Sequence, residues 1–318
     1  MKISIIGCGA FGLAISKRFH NKNNEIYLWN KFSEEIEKLK EEKKFMDVIL
    51  PDDYKYTTNI EECIRNCDLI VMAVPIAFIK DTTMEIKKYY NNQPIIIGSK
   101  GIEQETGLYA IDIIKNIIDT DDIGTISGGT FAVDMIKDRP MGFTVATTSD
   151  KLKKVIKTSL EAGNLSIQYI DDTIGTELCG AYKNIIAIAS GILSGLNYGD
   201  STKFYLITKQ MYELEHLIQL LGGNSETVYS YAGIDDIYMT CSSTNSRNFS
   251  FGNLIGKGIK DDINDYKENT TIEGLYTTKS IYDLFIKKNI KSDFVNVMYE
   301  ILYNNKDVSL LIDYLKRN

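Results

Sequence analysis

Short apolar runs alternate with amphipathic segments over the first half of the chain. Continuous apolar runs bounded by turn residues are typical of buried parallel strands, whereas apolar residues three or four positions apart are typical of helices. The predicted strands are Ile3–Ile6, Glu25–Trp29, Leu69–Val74, Pro94–Ile97 and Gly124–Ser127. The predicted helices cover about 10–19, Ser33–Lys44 with Ser33 as its cap, Asn59–Asn66, 76–90 and Tyr109–Ile118. Strands and helices in alternation predict a parallel sheet covered on both faces.

The pattern changes near Asp172. Before it, two more strands with a helix between them extend the predicted sheet: Met141–Ala146, Lys151–Ala162 and Ser166–Ile170. After it, strand patterns nearly vanish and long helices dominate, above all Thr176–Leu196 and Thr202–Leu221. A chain of 318 residues is about twice as long as a common domain. We therefore predict an α/β domain over residues 1–172, followed by an all-helical domain over residues 173–318.

The net charge of the chain limits the classes of partner that we expect. Lys and Arg number 36 against 43 Asp and Glu, which gives a formal net charge of −7. Nucleic acids and anionic membranes attract basic surfaces, so we expect neither as the main partner. The longest uncharged run, between Lys183 and Asp200, contains Asn, Ser and Gly and is too polar for a membrane span. A local basic pocket for a small anion stays compatible with this charge.

The cysteines and the start of the chain indicate the compartment. The chain begins directly with a strand pattern, without the basic and apolar regions of an export signal. The cysteines are odd in number and scattered: Cys8, Cys63, Cys67, Cys179 and Cys241. Both features predict a cytoplasmic protein with free thiols. Cys63 and Cys67 are four residues apart on a predicted helix, but with only two histidines in the chain we predict no metal site.

A glycine-rich turn follows the first predicted strand and opens the first predicted helix. Its glycines are Gly7, Gly9 and Gly12, in the order Gly-x-Gly-x-x-Gly. In this context the first allows a tight turn, the second lets the backbone approach a pyrophosphate, and the third lets helix and strand pack closely. The helix N-terminus adds N–H donors for the phosphates. The turn predicts a Rossmann-like, doubly wound sheet that binds a dinucleotide; the alternative is a tight turn without a ligand.

The end of the second predicted strand bears on the choice of cofactor. Asn30 stands where a carboxylate would bind the ribose 2′-hydroxyl, and Lys31 follows it. A neutral Asn30 cannot repel a 2′-phosphate, and Lys31 can attract one as a point charge. We therefore expect NAD and NADP both to work, with an NADP preference within about tenfold. The alternative is that Asn30 only ends the strand and that Lys31 is solvated.

Four further positions carry candidate chemistry. Lys100 follows a predicted strand at the carboxyl edge of the sheet, where ligands bind in α/β folds. Lys183 precedes a very apolar helical stretch, which is a setting of catalytic proton donors. On this segment alone, a lysine that reaches water from a helix end is the favoured interpretation. Ser246 can cap a helix, and Arg247 can then present its forked guanidinium to a phosphate.

The motifs, taken in order, resemble those of the bacterial type of the NAD(P)-dependent glycerol-3-phosphate dehydrogenase family. The matching segments span nearly the whole chain: Gly7–Gly12, Ala73–Pro75, Ser99–Glu103, Ser127–Ala132, Lys183-Asn184, Gly233–Asp236, Thr240-Cys241, Ser246–Asn248 and Glu273-Gly274. Five positions depart from the family pattern: Gly129 for Pro, Thr130 for Ser, Asp235 for Gly, Lys209 for Arg and Ser201 for Asn. None of them removes a charged group from the implied reaction centre, and together they mark a divergent member.

The resemblance implies roles for individual residues. Lys183 is the implied general acid/base, with Asp236 and Lys100 beside it as catalytic residues. The implied substrate-binding residues are Lys100, Gly128, Thr130, Lys183, Asn184, Asp236, Ser246, Arg247 and Asn248. The implied cofactor-binding residues are Gly7, Gly9, Ala10, Phe11, Gly12, Lys31, Lys100, Ala132, Arg247 and Glu273. Residues 1–172 thereby become a dinucleotide-binding domain and residues 173–318 a substrate-binding domain.

The implied reaction is the reversible, NAD(P)H-dependent reduction of dihydroxyacetone phosphate to sn-glycerol 3-phosphate, which feeds glycerophospholipid synthesis. Two alternatives stay open: a dehydrogenase of another small phosphorylated or carboxylated alcohol, and a catalytically silent NAD(P)-sensing protein. A sensor needs no phosphate clamp, so the presence of Lys183, Asp236 and Arg247 together favours an enzyme. The family often forms homodimers, although no apolar stripe in this sequence identifies a dimer surface.

Overall fold

The computed structural model describes residues 1–160 and 164–317 of the chain. Packing divides these residues into two compact units. The first unit consists of Met1–Lys100 and Ala110–Thr173. The second consists of Gly101–Tyr109 and the chain from Ile174 onward. The short segment Gly101–Tyr109, in which Ile102 bridges to Tyr109, therefore belongs to the second unit although the sequence of the first surrounds it.

The first unit is a sheet flanked by helices. Its strands are β1 (Lys2–Ile6), β2 (Glu25–Trp29), β3 (Lys44–Phe45), β4 (Val48–Ile49), β5 (Lys55–Thr57), β6 (Leu69–Met72), β7 (Ile95–Ile97), β8 (Ile123–Ser127), β9 (Met141–Ala146) and β10 (Leu165–Ile170). Eight of the strands described form one sheet in the order β10-β9-β8-β7-β6-β1-β2-β5, and β3 pairs with β4 in a separate hairpin. Its helices are α1 (Ala10–Phe19), α2 (Ser33–Glu42), α3 (Ile60–Ile64), α4 (Ile76–Lys87), α5 (Ala110–Ile117), α6 (Ala132–Ile136) and α7 (Asp150–Leu160).

The sheet is parallel except at one junction. β1 lies inside the sheet and pairs in parallel with β2 and β6. β9 and β10 extend the sheet as predicted, but β9 runs antiparallel to β8, so the prediction of a wholly parallel sheet is wrong there. The link between β8 and β9 contains only the five-residue helix α6. Such a helix is about 7 Å long and cannot return the chain along a whole strand, as a parallel crossover requires.

Several local predictions need correction. Phe32, not Ser33, is the N-cap residue of α2, and its side chain makes no capping hydrogen bond. Cys63 lies in α3 but Cys67 follows the end of that helix, so the two do not share a helical face. β6 ends at Met72, two residues before the predicted Val74. The sequence analysis also missed the hairpin of β3 and β4. The predicted last residue of the helix before β10, Ala162, lies outside the described residues.

The second unit is helical. Its helices are α8 (Thr173–Gly195), α9 (Asp200–Leu220), α10 (Asp236–Ser242), α11 (Arg247–Lys257), α12 (Lys260–Asn269), α13 (Glu273–Lys288), α14 (Asp293–Tyr303) and α15 (Ser309–Lys316). A 3-10 turn, Ser225–Tyr229, and a π-helical turn, Tyr231–Asp235, precede α10. Of the helices described, α8 alone is long and apolar enough to cross a membrane, and 94% of its most apolar window is buried inside the protein. It is the core helix of this unit.

Close contact between α8 and α11 fixes the N-terminus of α11. A Cβ atom on Gly191 of α8 would lie 2.1 Å from the carbonyl oxygen of Phe249 in α11. A Cβ atom on Gly252 of α11 would lie 2.0 Å from the carbonyl oxygen of Ile188 in α8. Side chains would force these backbones apart, so glycine at both positions allows the helices to touch. The polar residues at the start of α11 are thereby held against α8.

Candidate active site

Close packing in the first unit requires glycine at two positions of the glycine turn. Gly7 has a φ of +113°, and a Cβ atom there would lie 2.8 Å from the carbonyl oxygen of Ala73. A Cβ atom on Gly12 would lie 1.9 Å from the carbonyl oxygen of Gly7. Any larger residue would therefore separate β1, α1 and the end of β6. These glycines set the position from which α1 begins.

Gly9 is different, because the protein itself does not need a glycine there. Gly9 precedes α1 with φ −69° and ψ 179°, and a Cβ atom would meet nothing within 4 Å. Gly9 and Ala10 are exposed, and no acidic residue lies in the first turn of α1. Open space above a helix N-terminus is what a pyrophosphate needs to reach the N–H groups of the helix. The residues of this turn therefore fit a dinucleotide.

Other predicted residues of the first unit follow the carboxyl ends of β7 and β8. The ring of Phe11 lies against Gly98, where a Cβ atom would come within 2.1 Å of it. Gly98 precedes Ser99 and Lys100, and the Ser99 hydroxyl donates to the carbonyl oxygen of Val74 at 2.5 Å. The sequence analysis missed Gly98, although a glycine directly after an apolar strand is a signal of close approach.

The loop after β8 holds three more of these residues. Gly128 packs so closely that a Cβ atom would lie 2.3 Å from the carbonyl oxygen of Gly142 in β9. The hydroxyl of Thr130 lies 3.4 Å from the carbonyl oxygen of Gly128. Ala132 is the first residue of α6. The loop thus lies at the carboxyl edge of β8, the side of a sheet on which α/β proteins bind ligands.

Asn30 does more than end β2. Its side-chain amide donates to a carboxylate oxygen of Glu35, and its side-chain oxygen accepts the N–H of Phe32 at 3.1 Å. Asn30 is buried, whereas Lys31 is exposed. Asn30 therefore also holds an acidic side chain in place, while the exposed Lys31 fits the interpretation of a solvated lysine. Glu35 was not among the predicted site residues.

Lys183 of the second unit lies in the middle of α8 and not at its end. Lys183 is 6% exposed, so the alternative interpretation, a lysine that reaches water from a helix end, is wrong. Its ammonium donates to Oδ1 of Asp236 at 2.5 Å and to the hydroxyl oxygen of Thr240 at 3.0 Å. The Thr240 hydroxyl lies 3.2 Å from the same Asp236 oxygen. A buried ammonium is retained only where such partners replace water.

The π-helical turn brings Asp236 to Lys183. Gly233 lies in this turn, and a Cβ atom on it would come within 2.1 Å of the carbonyl oxygen of Val228. Asp236 then opens α10, and Thr240 lies one helical turn later on the same face. π-helical turns are rare and occur frequently at functional sites. Thr240 was part of a predicted motif but had no predicted role; its spacing of four residues from Asp236 was the available signal.

The start of α11 forms the second polar cluster of this unit. The Ser246 hydroxyl accepts the N–H of Phe249, so Ser246 caps α11 as predicted. The guanidinium of Arg247 lies 3.8 Å from the carboxylate of Glu273, and both side chains are substantially exposed. No acidic residue lies in the first turn of α11. This helix end therefore presents a cation and backbone donors together.

A pair of amides connects the two clusters. Asn248 donates from its side chain to the side-chain oxygen of Asn184 at 2.9 Å, and Asn184 directly follows Lys183. The side-chain oxygen of Asn248 accepts the N–H of Gly274 at 2.9 Å, next to Glu273. The second unit thus brings seven of the predicted residues into one connected group: Lys183, Asn184, Asp236, Ser246, Arg247, Asn248 and Glu273. The other predicted residues lie in the first unit.

Comparison with known proteins agrees with this arrangement. The family model described as the N-terminus of NAD-dependent glycerol-3-phosphate dehydrogenase matches residues 2–153, and the one described as its C-terminus matches residues 172–313. A glycerol-3-phosphate dehydrogenase (NAD(P)+) of Staphylococcus haemolyticus is 31% identical over 315 residues, covering 96% of this chain and 95% of the relative. The chain belongs to the NAD-dependent glycerol-3-phosphate dehydrogenase family.

Further members of the family and solved structures support the same conclusion. The enzyme named for the same activity in Thermoanaerobacter is 32% identical over 312 residues, covering 96% of this chain and 94% of the relative. The crystal structure of glycerol-3-phosphate dehydrogenase from Coxiella burnetii is similar with a TM-score of 0.92 and 25% identity, covering 99% of each chain. The predicted fold class is confirmed. The names of the relatives state NAD(P)+, in agreement with the predicted cofactors, NAD or NADP.

Proposed function

We propose that this protein catalyses the reversible, NAD(P)H-dependent reduction of dihydroxyacetone phosphate to sn-glycerol 3-phosphate and thereby supplies glycerophospholipid synthesis. Membership of the family over nearly the full chain supports this reaction. The observation that carries the proposal is the buried ammonium of Lys183 between Asp236 and Thr240. A positioned acid of this kind is what protonation of a carbonyl oxygen requires.

Lys183 is the proposed proton donor. The nicotinamide, when bound, supplies a hydride to the C2 carbonyl carbon of the substrate. As negative charge develops on the carbonyl oxygen, the ammonium of Lys183 donates a proton to it and stabilises it. Asp236 keeps Lys183 charged before the reaction, and Thr240 fixes the direction of the side chain. In the oxidation of glycerol 3-phosphate the neutral amine of Lys183 takes the hydroxyl proton back.

Arg247 is the proposed anchor of the substrate phosphate. Its ion pair with Glu273 is long and exposed, so little free energy opposes exchange of that partner for a phosphate. A guanidinium binds phosphate through two parallel hydrogen bonds, and the N-terminus of α11 adds favourable dipoles. Ser246, Asn248 and Asn184 hold this helix end in place. Binding at the phosphate positions the carbonyl for reaction.

The first unit supplies the proposed cofactor site. Gly7, Gly9 and Gly12 present the N–H groups of Ala10 and Phe11 to the pyrophosphate. The family resemblance adds Lys31, Lys100, Ala132, Arg247 and Glu273 as cofactor contacts. It also adds Lys100, Gly128 and Thr130 as substrate contacts, with Lys100 in catalysis. These assignments are the most direct targets for single substitutions.

One spectrophotometric assay tests the proposed reaction. The absorbance of NADH or NADPH should fall when dihydroxyacetone phosphate is added to the native protein. A panel of other small phosphorylated and carboxylated ketones tests the alternative that a related alcohol is the true product. If the cofactor binds but no ketone oxidises it, the protein is a sensor and the proposed reaction is wrong.

We further infer a cytoplasmic location from the cysteines and a homodimer from the family resemblance. The five cysteines are free and buried. Burial raises the pKa of the Cys8 thiol to about 12 and that of Cys67 to about 11, so neither is a reactive thiolate. Free thiols are typical of a reducing compartment. Light scattering of the purified protein tests the homodimer, and fractionation of cells tests the compartment.

A further inference from the structure

We propose that Glu35, held by Asn30, selects the cofactor: its carboxylate accepts the 2′-hydroxyl of the adenosine ribose and repels a 2′-phosphate. The protein would then prefer NAD(H) to NADP(H). This inference rests on the dinucleotide binding proposed above and adds a specificity-determining residue to it. It also reverses the modest NADP preference expected from the sequence, which has no carboxylate at position 30 and a lysine at position 31.

The end of β2 is in direct contact with the glycine turn. The carbonyl oxygen of Trp29, the last residue of β2, accepts the N–H of Gly7 at 2.9 Å. The same oxygen lies 3.5 Å from the thiol of Cys8. Asn30 follows Trp29, and its backbone N–H donates to the carbonyl oxygen of Thr57 at 3.3 Å. The position at which folds of this type bind the ribose therefore lies at Asn30.

Asn30 holds the carboxylate of another residue, Glu35, at this position. Its side-chain amide donates to Glu35, which lies in the first turn of α2. Its side-chain oxygen is engaged by the N–H of Phe32. The carboxylate that the sequence lacks at position 30 is thus supplied from position 35. The second oxygen of that carboxylate is an acceptor of the type that binds a ribose hydroxyl.

The charge of Glu35 acts on the glycine turn. The pKa of the Cys8 thiol is raised first by burial and second by Glu35, so the field of this carboxylate reaches the turn that would hold the pyrophosphate. A 2′-phosphate carries nearly two negative charges at neutral pH and would meet this field. Lys31 opposes it, but an exposed lysine without a fixed partner attracts weakly. Repulsion by the anchored carboxylate therefore outweighs attraction by Lys31.

Glu35→Gln and Glu34→Gln form a matched pair of test variants. Both remove one negative charge from the first turn of α2, but Asn30 holds only Glu35. Gln at position 35 can still accept the Asn30 amide, so the fold should be kept. Isothermal titration calorimetry with ADP-ribose and with 2′-phospho-ADP-ribose measures the preference without any catalytic step. The titrations are run at low and at high salt.

The native protein should bind ADP-ribose about tenfold more tightly than its 2′-phosphate at low salt. Glu35→Gln should remove most of this preference, and Glu34→Gln should change it less than about twofold. Equal shifts in both variants, or none in Glu35→Gln, would overturn the proposal. Dehydrogenase activity is measured in parallel. Activity without a cofactor preference would reject only the role of Glu35, and a preference without activity would reject only the proposed reaction.

Discussion

The candidate sites of the two units are built from different groups. In the first unit the candidate cofactor site is made of backbone, and its glycines lie within six consecutive residues, Gly7–Gly12. In the second unit the candidate reaction centre is made of buried side chains, and Lys183 is separated from Asp236 and Thr240 by 53 and 57 positions. A site made of backbone groups can come from one short segment of the sequence. A side-chain site forms only when distant helices pack.

The difference predicts different consequences of substitution. In the glycine turn, a new side chain acts through volume, on packing or on the space left for a ligand. In the Lys183 cluster, removal of a side chain acts through charge, because its partners stay buried. Substitutions in the first unit should therefore alter binding or stability. Those in the Lys183 cluster should alter turnover.

Removal of the Lys183 ammonium should have the largest effect. We expect Lys183→Met to lower kcat by about 10²–10⁴-fold, the range typical of positioned acid–base groups. Dinucleotide binding, followed by the fluorescence of the single tryptophan, Trp29, should persist. Stopped-flow and steady-state assays measure both quantities.

Two controls separate chemistry from stability in this test. Lys183→Met leaves Asp236 buried without its cation, which destabilises the fold. Lys183→Met combined with Asp236→Asn removes the unpaired charge and should be more stable, yet equally slow. Lys257→Ala removes an exposed lysine of α11 and should keep normal turnover. Near-normal kcat in Lys183→Met would exclude Lys183 as the proton donor.

Substitution of Arg247 should have the next largest effect. Arg247→Ala should lower kcat/KM for dihydroxyacetone phosphate by about 30-fold or more, because the loss of one partner of a charge pair costs about 2–5 kcal/mol. Unphosphorylated dihydroxyacetone should be a poor substrate and should lose little further. Arg247→Lys should recover part of the loss, since it keeps the charge without the fork. Arg65→Ala serves as the exposed-arginine control, and equal losses for both ketones would contradict the phosphate role.

Gly9 and Gly12 give a paired test within the turn. Gly9→Ala should keep the melting temperature near that of the native protein, because its Cβ atom meets nothing within 4 Å. It should weaken NADH binding about tenfold, by filling the space for the pyrophosphate. Gly12→Ala should instead destabilise the fold by about 1–3 kcal/mol, because its Cβ atom would overlap the carbonyl of Gly7. Calorimetric melting and NADH titration measure the two effects; unchanged NADH affinity in Gly9→Ala would reject the assignment of that space to a ligand.

The smallest expected effect concerns a partly buried acid of the helical unit, Glu213. Burial raises the pKa of Glu213 above its usual value, against hydrogen bonds from Ser292 and Tyr314 that lower it. The folded protein therefore holds this proton more tightly than the unfolded chain, and the free energy of unfolding falls as pH rises from the unfolded to the folded pKa. Glu213→Gln should gain stability relative to the native protein across that range, by about 1 kcal/mol or less.

Urea unfolding at several pH values measures this effect. Glu215→Gln on the same helix, α9, is the control, because Glu215 faces Tyr229 near the surface. The difference between Glu213→Gln and the native protein should grow as pH rises through the titration of Glu213 and then level off. A difference in the free energy of unfolding that shrinks as pH rises would contradict a raised pKa of Glu213.

The sequence predicted most of the first unit because local patterns decide it. The strands Glu25–Trp29 and Met141–Ala146 have the predicted bounds, since apolar runs between turn residues leave little choice. The reversal of β9 was missed, because direction depends on the length of the helix in the connection. The hairpin of β3 and β4 was missed because two-residue strands carry no periodicity.

The candidate site was only partly predictable. Lys183 and Arg247 were candidates from their local sequence, whereas Asp236 was found only through the resemblance of ordered motifs. Thr240 and Glu35 were missed as contributors, because their importance lies in a hydrogen bond to one particular neighbour. Which side chain receives such a bond depends on tertiary packing, and no periodic pattern records it.

Transfer of hydride from the reduced cofactor to the substrate tests the central claim most directly. The native protein is incubated with NADH deuterated at both C4 positions and with dihydroxyacetone phosphate, and the product is analysed by NMR and chiral chromatography. The account predicts one deuterium at C2 of sn-glycerol 3-phosphate for each cofactor oxidised, and almost none with Lys183→Met in the same time. Oxidation of the cofactor without deuterium at C2 of this product would contradict it.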